Sequence, residues 1–455
     1  MPAIRLMVFR CFFEMTCAMR AKQLSLLAED SQLGLLPTAK TKAKDKLGVH
    51  GWTKFYASFS EEFVNKSIDA MGLQDDSVIL DPFVGSGTTL VSCLKKGLPA
   101  VGIDLDPFAC LLSRCKVALD FDRDKVQKIL KSPASVYSDE VDFCDETYRF
   151  FSESCIDYAA KVIGSIKESI KLNGSKNYLD TILQDEKGEY DSEVVALTSL
   201  CIAAESSAKV VRGSNPTWYR KAKDGEMDVV SSIMGPAQTM SEVIMSDLSD
   251  LHIYASRRNI KIFNASVEDL TTELLGIRVN FIITSPPYLT RLDYIIKHLP
   301  NLLVLSGFVP VDIEGARRRM IGTPKIVNKS PSEERWGETC NHILESIRSH
   351  GSYASGSYYI WTYVQYFRSL FFFLERVKFV LSQEASGILV LQNNTYKDLF
   401  IPVSDIAVEM FAYLGVDSKI LRRESVRINI NNLGKGRKGK EGKKEHTEDV
   451  LIFSN

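Results

Sequence analysis

Short apolar runs, each ending at an acidic or glycine-rich turn, mark the strands that this sequence predicts. The run 78–80 ends at Asp81, and a glycine-rich turn and a helical pattern follow it. A second run, 100–103, stops at Asp104, and residues 107–118 again have a helical pattern. Strand, glycine turn, helix, strand, acid and helix in this order are typical of the opening of a doubly wound α/β sheet.

The same alternation resumes in the second half of the chain. Residues 279–283 are almost entirely apolar, as expected of a strand in a sheet that helices cover on both faces. The other predicted elements are strand 260–263, helix 358–381, strand 387–391, helix 403–414, and hairpin strands 427–430 and 449–453. We therefore expect an α/β fold whose Rossmann-like sheet is mostly parallel and ends in a C-terminal antiparallel hairpin.

Between residues 121 and 256 the alternation disappears. The stretch is rich in helix formers and charges, with helical patterns at 148–170 and 192–211 around a turn-rich break at 213–216. We interpret it as an inserted, mainly helical subdomain. The predicted division is an N-terminal extension at 1–45, a first part of the α/β domain at 46–120, the insertion at 121–256, and a second part at 257–455.

The N-terminal extension has apolar segments but is not expected to be an export signal. Arg10 and Glu14 interrupt the apolar run, and no small-residue cleavage site follows. The chain also has no uncharged stretch of about 20 residues that could span a bilayer. Its nine cysteines are scattered, without a C-x-x-C pair or a histidine at ligand spacing. These features predict a cytoplasmic protein with reduced thiols, no structural metal and no membrane contact.

The formal net charge of -1 provides no overall cationic field for nucleic acid, so such binding would need local patches. Two are visible, at 317–319 with Lys325 and at 435–444. A third is a basic and aromatic cluster in the insertion, suited to phosphate and base contacts: Lys209, Arg212, Asn215, Trp218, Tyr219, Arg220, Lys221 and Lys223. An ordinary solvated loop or helix face explains the first two patches at least as well, and a polar turn with a core tryptophan explains the third equally well.

The first candidate site is the glycine-rich turn 81–89, Asp-Pro-Phe-Val-Gly-Ser-Gly-Thr-Thr. Its glycines allow a sharp turn and close approach to a ligand, and the following helix N-terminus favours a carboxylate or phosphate. An ordinary glycine turn is the alternative, but the acid at each strand end favours a cofactor site. Asp104 is suited to accept hydrogen bonds from ribose hydroxyls, with Asp106 as its rival. A phosphate-binding loop would need lysine where Thr88 stands.

The second candidate site is Ser285-Pro286-Pro287-Tyr288, directly after the buried strand 279–283. Two successive prolines fix the backbone and remove two donors, so nearby carbonyls can be held rigidly as acceptors. Tyr288 adds an aromatic face on which a base can stack. A rigid loop with a packed tyrosine is the structural alternative. Ligands in doubly wound sheets gather at the carboxyl ends of the strands, which favours the functional interpretation.

With both motifs in view, the chain resembles the amino-methyltransferases of DNA, which modify N4 of cytosine or N6 of adenine. The resemblance begins near residue 50 and runs to the C-terminus, and residues 1–45 match nothing that we know. The supporting segments are His50 to Phe59, Leu289 to Tyr294, Arg319 to Thr323, and the run that ends Gln392-Asn393-Asn394. The two motifs together are highly specific for this family, and they imply a Rossmann-like methyltransferase sheet.

The resemblance implies S-adenosylmethionine as cofactor and assigns roles to matching positions. The residues that would contact its methionine part are Asp81, Pro82, Phe83, Gly85, Gly87 and Thr88. Asp104 would hold the ribose, and Phe59 would pack near the cofactor. Asn264 stands where the family often has an acid that contacts the adenine amino group, so we expect differently tuned binding there. Ser285 and Pro286 would hold the target amino group beside Pro287, with Tyr288 stacked on the base.

The implied reaction needs no covalent enzyme intermediate, because acceptors at the tetrapeptide would draw on the amino hydrogens and free the nitrogen lone pair. The partner would be double-stranded DNA with its target base flipped out, and a companion restriction endonuclease is the other partner that the resemblance suggests. Serine at the first tetrapeptide position favours N4 of cytosine over N6 of adenine. Sequence readout is expected in the insertion or in 300–350. Methylation of RNA or a protein amide, and a catalytically idle nucleic-acid-binding module, remain the alternatives.

Overall fold

A computed structural model describes residues 33–55, 59–133, 140–172, 177–213, 219–223, 225–226, 232–257, 259–289, 292–327, 329–426 and 446–455. Several sequence predictions lie outside these residues: most of the N-terminal extension, Asn215 and Trp218 of the insertion cluster, the hairpin strand at 427–430, and the basic tract 435–444.

The described residues form eleven strands and sixteen α-helices. The strands are β1 (Ile79–Asp81), β2 (Ala100–Asp104), β3 (Val210–Arg212), β4 (Tyr219–Lys221), β5 (Ile260–Asn264), β6 (Val279–Thr284), β7 (Leu381–Gln392), β8 (Asn394–Tyr396), β9 (Leu399–Ile401), β10 (Asp417–Val426) and β11 (His446–Ser454).

Helices follow β1 and β2 in the expected alternation, and a run of helices then precedes β3. The helices are α1 (Glu61–Ala70), α2 (Thr88–Lys96), α3 (Pro107–Cys115), α4 (Arg123–Lys131), α5 (Asp145–Phe150), α6 (Glu153–Ser169), α7 (Tyr178–Leu183), α8 (Asp191–Ser207), α9 (Met234–Ser249), α10 (Thr272–Leu275), α11 (Tyr294–Lys297), α12 (Leu299–Leu305), α13 (Ile313–Arg319), α14 (Glu338–Ser349), α15 (Ile360–Val380) and α16 (Val403–Tyr413). A π-helical turn, Ser355–Tyr359, precedes α15.

Seven strands form the central sheet in the order β10-β11-β7-β6-β1-β2-β5. Neighbours from β7 to β5 are parallel, whereas β11 is antiparallel to both β7 and β10. The predicted fold class is therefore confirmed: a doubly wound, mostly parallel sheet with a C-terminal antiparallel pair. The chain reverses its strand order beside β1, so the loops after β1, β2 and β6 meet at one edge of the sheet.

The outer strand of the hairpin differs from its prediction, since β10 occupies 417–426. Most residues of β10 are polar: only Ile420, Leu421 and Val426 are apolar, and Arg422 and Arg423 stand between them. An edge strand has only one neighbour and tolerates such charges, so a search for apolar runs misses it.

Two hydrophobic cores cover the two faces of the sheet, because successive side chains of a strand point in opposite directions. Ile79 belongs to the first core with residues of α1, α2 and α3. Leu80 belongs to the second with residues of α14, α15 and α16. Both faces of β1 are thus buried, which explains its short and entirely apolar run.

The helices between β2 and β5 extend the first core. α8 is buried along nearly its whole length and packs among the same residues as α3. The Arg114 guanidinium, 2% exposed, lies 2.6 Å from an Asp191 carboxylate oxygen and 3.3 Å from one of Asp185. A buried ion pair of this kind ties α3 to the start of α8. The limits of the insertion at 121 and 256 stay predictions.

The cations of the patch predicted at 317–319 and Lys325 all have acidic partners. The pairs are Arg317 with Asp293 and Glu314, Arg318 with Glu314, Arg319 with Asp269, and Lys325 with Glu314. In the insertion cluster, Arg212 donates to backbone carbonyls and Arg220 pairs with Glu226. Among the described residues, these cations are therefore engaged within the chain, and the more exposed of the ion pairs contribute little to stability.

No described helix combines the length and the apolar character that crossing a bilayer requires.

The glycine turn gives a test of the fold. Gly87 has φ +78°, and an added Cβ would lie 2.9 Å from the Ser113 hydroxyl oxygen and 3.0 Å from its Cα. Gly72 has φ +57° with no atom within 4 Å. Gly87→Ala should therefore cost more than the strain of about 1–2 kcal/mol that Gly72→Ala introduces. Urea unfolding midpoints of the two variants measure the difference. Equal losses would show that the close approach of the turn to α3 is unimportant.

Candidate active site

The glycine turn between β1 and α2 is held by groups from the neighbouring strand and helix. The Gly85 amide donates to an Asp104 carboxylate oxygen at 2.9 Å, and its carbonyl accepts from the Ser113 hydroxyl at 2.8 Å. Gly85 has φ +48°, and Gly87 is the N-cap of α2 in a left-handed conformation. A residue with a side chain adopts these dihedrals only with strain, so glycine is required at both positions.

Asp81 is the buried anchor of the site. One carboxylate oxygen accepts from the Thr284 hydroxyl at 2.6 Å and the Phe83 amide at 3.2 Å, and the other accepts from the Thr89 hydroxyl at 2.6 Å. Burial raises the pKa of Asp81 to about 6, although these donors favour the charged form. The carboxylate thus ties the end of β1 to the end of β6 and to the start of α2.

Asp104 and Asp106, the two rivals for the ribose, have different surroundings. Asp106 caps α3 through the amides of Phe108 and Ala109, and its second oxygen lies 2.5 Å from His298 Nδ1. Asp104 accepts from the amides of Gly85 and Asp106 and remains partly exposed to the cleft. Burial and the charge of Asp106 raise the pKa of Asp104 to about 7. This environment makes Asp104 the better placed acceptor.

The tetrapeptide lies against β7 and β11. The Ser285 hydroxyl is 3.0 Å from the Tyr288 hydroxyl and 3.2 Å from the Val390 carbonyl, and it can donate to either. The Tyr288 hydroxyl donates to a Glu448 carboxylate oxygen at 2.6 Å. Tyr288 is only 8% exposed, and burial together with Glu448 raises its pKa well above the usual range. The Glu448 carboxylate therefore holds the hydroxyl end of the Tyr288 side chain.

Three residues confine the backbone of this loop, and two of them, Asn394 and Gly322, lie in segments that supported the resemblance. The Tyr366 hydroxyl donates to the Pro287 carbonyl at 3.3 Å, and the Asn394 side-chain amide donates to the Leu289 carbonyl. Gly322 has φ +76°, and an added Cβ would lie 2.9 Å from the Tyr288 carbonyl oxygen. The tetrapeptide backbone is consequently confined from three sides.

Both motifs border one cleft. The predicted residues that line it are Phe59, Asp81, Pro82, Phe83, Gly85, Thr88, Asp104, Ser285 and Pro287. Gly87, Pro286 and Tyr288 lie behind this lining. Asn264 lines an adjoining groove, and its amide donates to the backbone carbonyls of Asp104 and Leu105.

The cleft has further lining residues to which the sequence analysis assigned no cofactor or base contact. Phe55, Tyr294, Arg319, Met320 and Ile321 lie inside segments that carried the resemblance, so closer inspection of those segments could have found them. Val84 and Ser86 belong to the glycine turn, and Asp106 is the rival of Asp104. The other lining residues have no motif of their own: Leu105, Ala109, Ser266, Val267, Ile295 and His298.

Comparisons with known proteins agree with this geometry. Residues 32–114, which include the glycine turn and Asp104, match the N6/N4 DNA methylase family model. The Type II methyltransferase M.MjaII of Methanocaldococcus jannaschii is 36% identical over 96 residues, which are 21% of this chain and 17% of that protein. This part of the chain is similar to DNA amino-methyltransferases.

A longer match has a lower identity. The Type II methyltransferase M.AvaI of Nostoc sp. is 26% identical over 327 residues, covering 65% of this chain and 63% of that protein. This chain thus matches less than two thirds of the length of either relative. The rRNA methyltransferase AviRa of Streptomyces viridochromogenes aligns over 92% of this chain and 96% of its own at 12% identity, but its TM-score of 0.29 carries no argument.

The buried anchor Asp81 predicts a pH-dependent effect. Thr284→Val keeps the side-chain shape but removes a donor to Asp81. At about pH 8 the carboxylate is charged, and the loss should cost about 1.5–3 kcal/mol of unfolding free energy. Below the pKa of Asp81, about 6, the carboxyl is neutral and the cost should shrink. Denaturant unfolding at both pH values measures this. An Asp81→Asn background is the control, where the pH dependence should vanish; its persistence there would contradict the assignment.

Proposed function

We propose that this chain is a DNA methyltransferase that transfers a methyl group from S-adenosylmethionine to an exocyclic amino nitrogen, with N4 of cytosine favoured. One observation supports it above all: the glycine turn and the tetrapeptide line the same cleft, joined through Asp81 and Thr284. A cofactor and a base held at these two loops would therefore meet. The family-model match over residues 32–114 and the Type II methyltransferase names of the relatives support the same proposal.

The cleft fits S-adenosylmethionine in its chemistry. Asp104 presents a partly exposed carboxylate for ribose hydroxyls, and the aromatic rings of Phe59 and Phe83 provide apolar walls. Backbone groups of the glycine turn and the start of α2 suit the charged amino-acid end. Asp81, Pro82, Gly85, Gly87 and Thr88 would hold that end. Asn264 would approach the adenine from the adjoining groove. When bound, the cofactor supplies an electrophilic methyl group.

The tetrapeptide supplies acceptors for an amino group. The Ser285 oxygen lines the cleft, and the Pro286 carbonyl belongs to a backbone that two prolines stiffen. Hydrogen bonds from both amino hydrogens to these acceptors would favour a pyramidal nitrogen with its lone pair directed into the cleft. Exclusion of water and fixed orientation would supply most of the rate acceleration.

Duplex DNA is the proposed substrate, and its target nucleotide would have to leave the stack to reach this cleft. Tyr288 would then stack on the flipped base. Serine at the first tetrapeptide position supports N4 of cytosine. Since the named relatives are Type II methyltransferases, we include a companion restriction endonuclease in the proposal.

Methyl incorporation tests the proposed activity. The purified chain is incubated with labelled S-adenosylmethionine and with duplex DNA, RNA or bulk protein, and the DNA is digested to nucleosides for mass spectrometry. We expect label in DNA as N4-methylcytosine. N6-methyladenine would show that the target base is adenine. Label confined to RNA or protein would show that DNA is not the substrate. Cofactor binding without turnover would support a catalytically idle module.

Tyr288→Ala should separate base positioning from cofactor binding. Loss of the stacking ring should lower turnover by about 100-fold or more, while the dissociation constant for S-adenosylmethionine stays near that of the parent. Tyr158→Ala is the matched control, because that tyrosine is also 8% exposed and its hydroxyl also has a buried partner. Single-turnover rates and equilibrium dialysis provide the two numbers. If Tyr288→Ala instead loses most of its cofactor binding, the base pocket does not lie at Tyr288.

The pKa of Asp104 predicts how cofactor affinity changes with pH. A charged carboxylate accepts hydrogen bonds from ribose better than a protonated one, so binding favours the deprotonated form and releases a proton. With a pKa of about 7, Asp104 should make affinity rise between about pH 6 and about pH 8. Asp104→Asn should bind more weakly and lose this slope. Calorimetric titration across that range measures it, and an unchanged slope in the variant would exclude Asp104 as the source.

A further inference from the structure

A chain of hydroxyl groups leads from the cleft to a carboxylate on the far side of the tetrapeptide. Ser285 lies 3.0 Å from the Tyr288 hydroxyl, which donates to Glu448 at 2.6 Å. Glu448 belongs to β11 and stands 160 residues from Tyr288 in sequence. It is outside the cleft lining, so it acts on the cleft only through these hydroxyls.

The directions of these hydrogen bonds follow from the number of hydrogens. Ser285 has one hydroxyl hydrogen and two acceptors on the protein side, the Tyr288 oxygen and the Val390 carbonyl. Whichever of the two it selects, that hydrogen points away from the cleft. The Ser285 oxygen then faces the cleft with its lone pairs, so it can accept a hydrogen bond but cannot donate one.

The charge of Glu448 maintains this direction. A carboxylate only accepts, so Tyr288 must donate to it, and the Tyr288 oxygen stays open to Ser285. A protonated Glu448 could donate to Tyr288, whose hydrogen could then turn to Ser285 and occupy one of its lone pairs. The charged groups near Glu448 act in both directions: Lys40 favours ionisation, whereas Glu424 and Asp449 oppose it. Burial also raises the pKa of Glu448.

We propose that Glu448 is a positioning residue, which in its ionised form orients the Tyr288 and Ser285 hydroxyls so that the Ser285 oxygen accepts from an amino group. The proposal rests on the proposed function and adds a reason for substrate choice. A base that presents a carbonyl at this position would meet an acceptor and be rejected, whereas an amino group would be held. Glu448 thereby keeps the Ser285 lone pairs free for an amino group without touching the base.

A spectroscopic experiment tests the orientation without any activity. The full chain is labelled with 13C at the tyrosine ζ carbon, and the Tyr288 signal is identified by its loss in Tyr288→Phe. On titration, that signal should move with the ionisation of Glu448, at a pH above the ordinary glutamate range. Glu448→Gln should abolish the movement. Glu424→Gln, which changes the residue paired with Glu448 on β10, should retain it. A Tyr288 signal that is insensitive to Glu448 overturns the proposal.

Kinetics then test the consequence. At neutral pH, Glu448→Gln should slow single-turnover methyl transfer to duplex DNA by about 10- to 100-fold while affinity for S-adenosylmethionine is unchanged. In a Tyr288→Phe background the same change should have an effect below about 2-fold, because the hydroxyl chain is already broken. In the parent, the methyl-transfer rate should fall as the pH drops below the pKa of Glu448. The rate of Glu448→Gln should not show this fall.

The outcomes separate the two proposals. Normal methyl transfer by Glu448→Gln overturns the role of Glu448 and leaves the proposed function intact. If the parent transfers no methyl group to DNA although its Tyr288 signal follows Glu448, the proposed function fails and the hydroxyl orientation stands. Equal losses for Glu448→Gln in the parent and in the Tyr288→Phe background show that Glu448 acts on folding alone, which also overturns the proposal.

Discussion

The site depends on one buried carboxylate. Asp81 accepts hydrogen bonds from Thr89 at the start of α2 and from Thr284 at the end of β6. The glycine turn and the tetrapeptide lie about 200 residues apart in sequence, and this carboxylate joins the strand ends from which both begin. A buried acid costs free energy unless donors compensate it, so its position fixes where the two hydroxyls, and with them the two loops, must lie.

Around this anchor the cleft has acidic groups on one wall and acceptor groups on the other. Asp104 retains a partly exposed carboxylate because the glycine turn and the next helix supply its other hydrogen bonds. Asp106 has no such free carboxylate oxygen, because the N-terminus of α3 and His298 occupy its two oxygens. On the opposite wall, Ser285 directs its hydrogen toward the protein. These arrangements are built by the fold before any ligand arrives, which is how preorganised sites lower barriers.

The sequence predicted the parts of the site that a local pattern encodes. Glycines, prolines and strand-end acids leave such a pattern because their backbone requirements are local. The glycine turn and the tetrapeptide were predicted from such patterns. Glu448, His298 and Ser266 reach the site through pairing of distant segments, for which one sequence carries no signal. The edge strand β10 was missed because charges are tolerated on one side of it. The cations at 317–319 could be recognised in the sequence, but their pairing with Asp269 and Asp293 could not be predicted from it.

The most direct test of the central claim is a crystal structure with S-adenosylhomocysteine, the stable product of methyl transfer. The account predicts that its ribose contacts Asp104 while its sulfur lies above the glycine turn and faces Ser285. Density in another pocket, or a sulfur directed away from the tetrapeptide, would contradict the claim that cofactor and target amino group meet in this cleft.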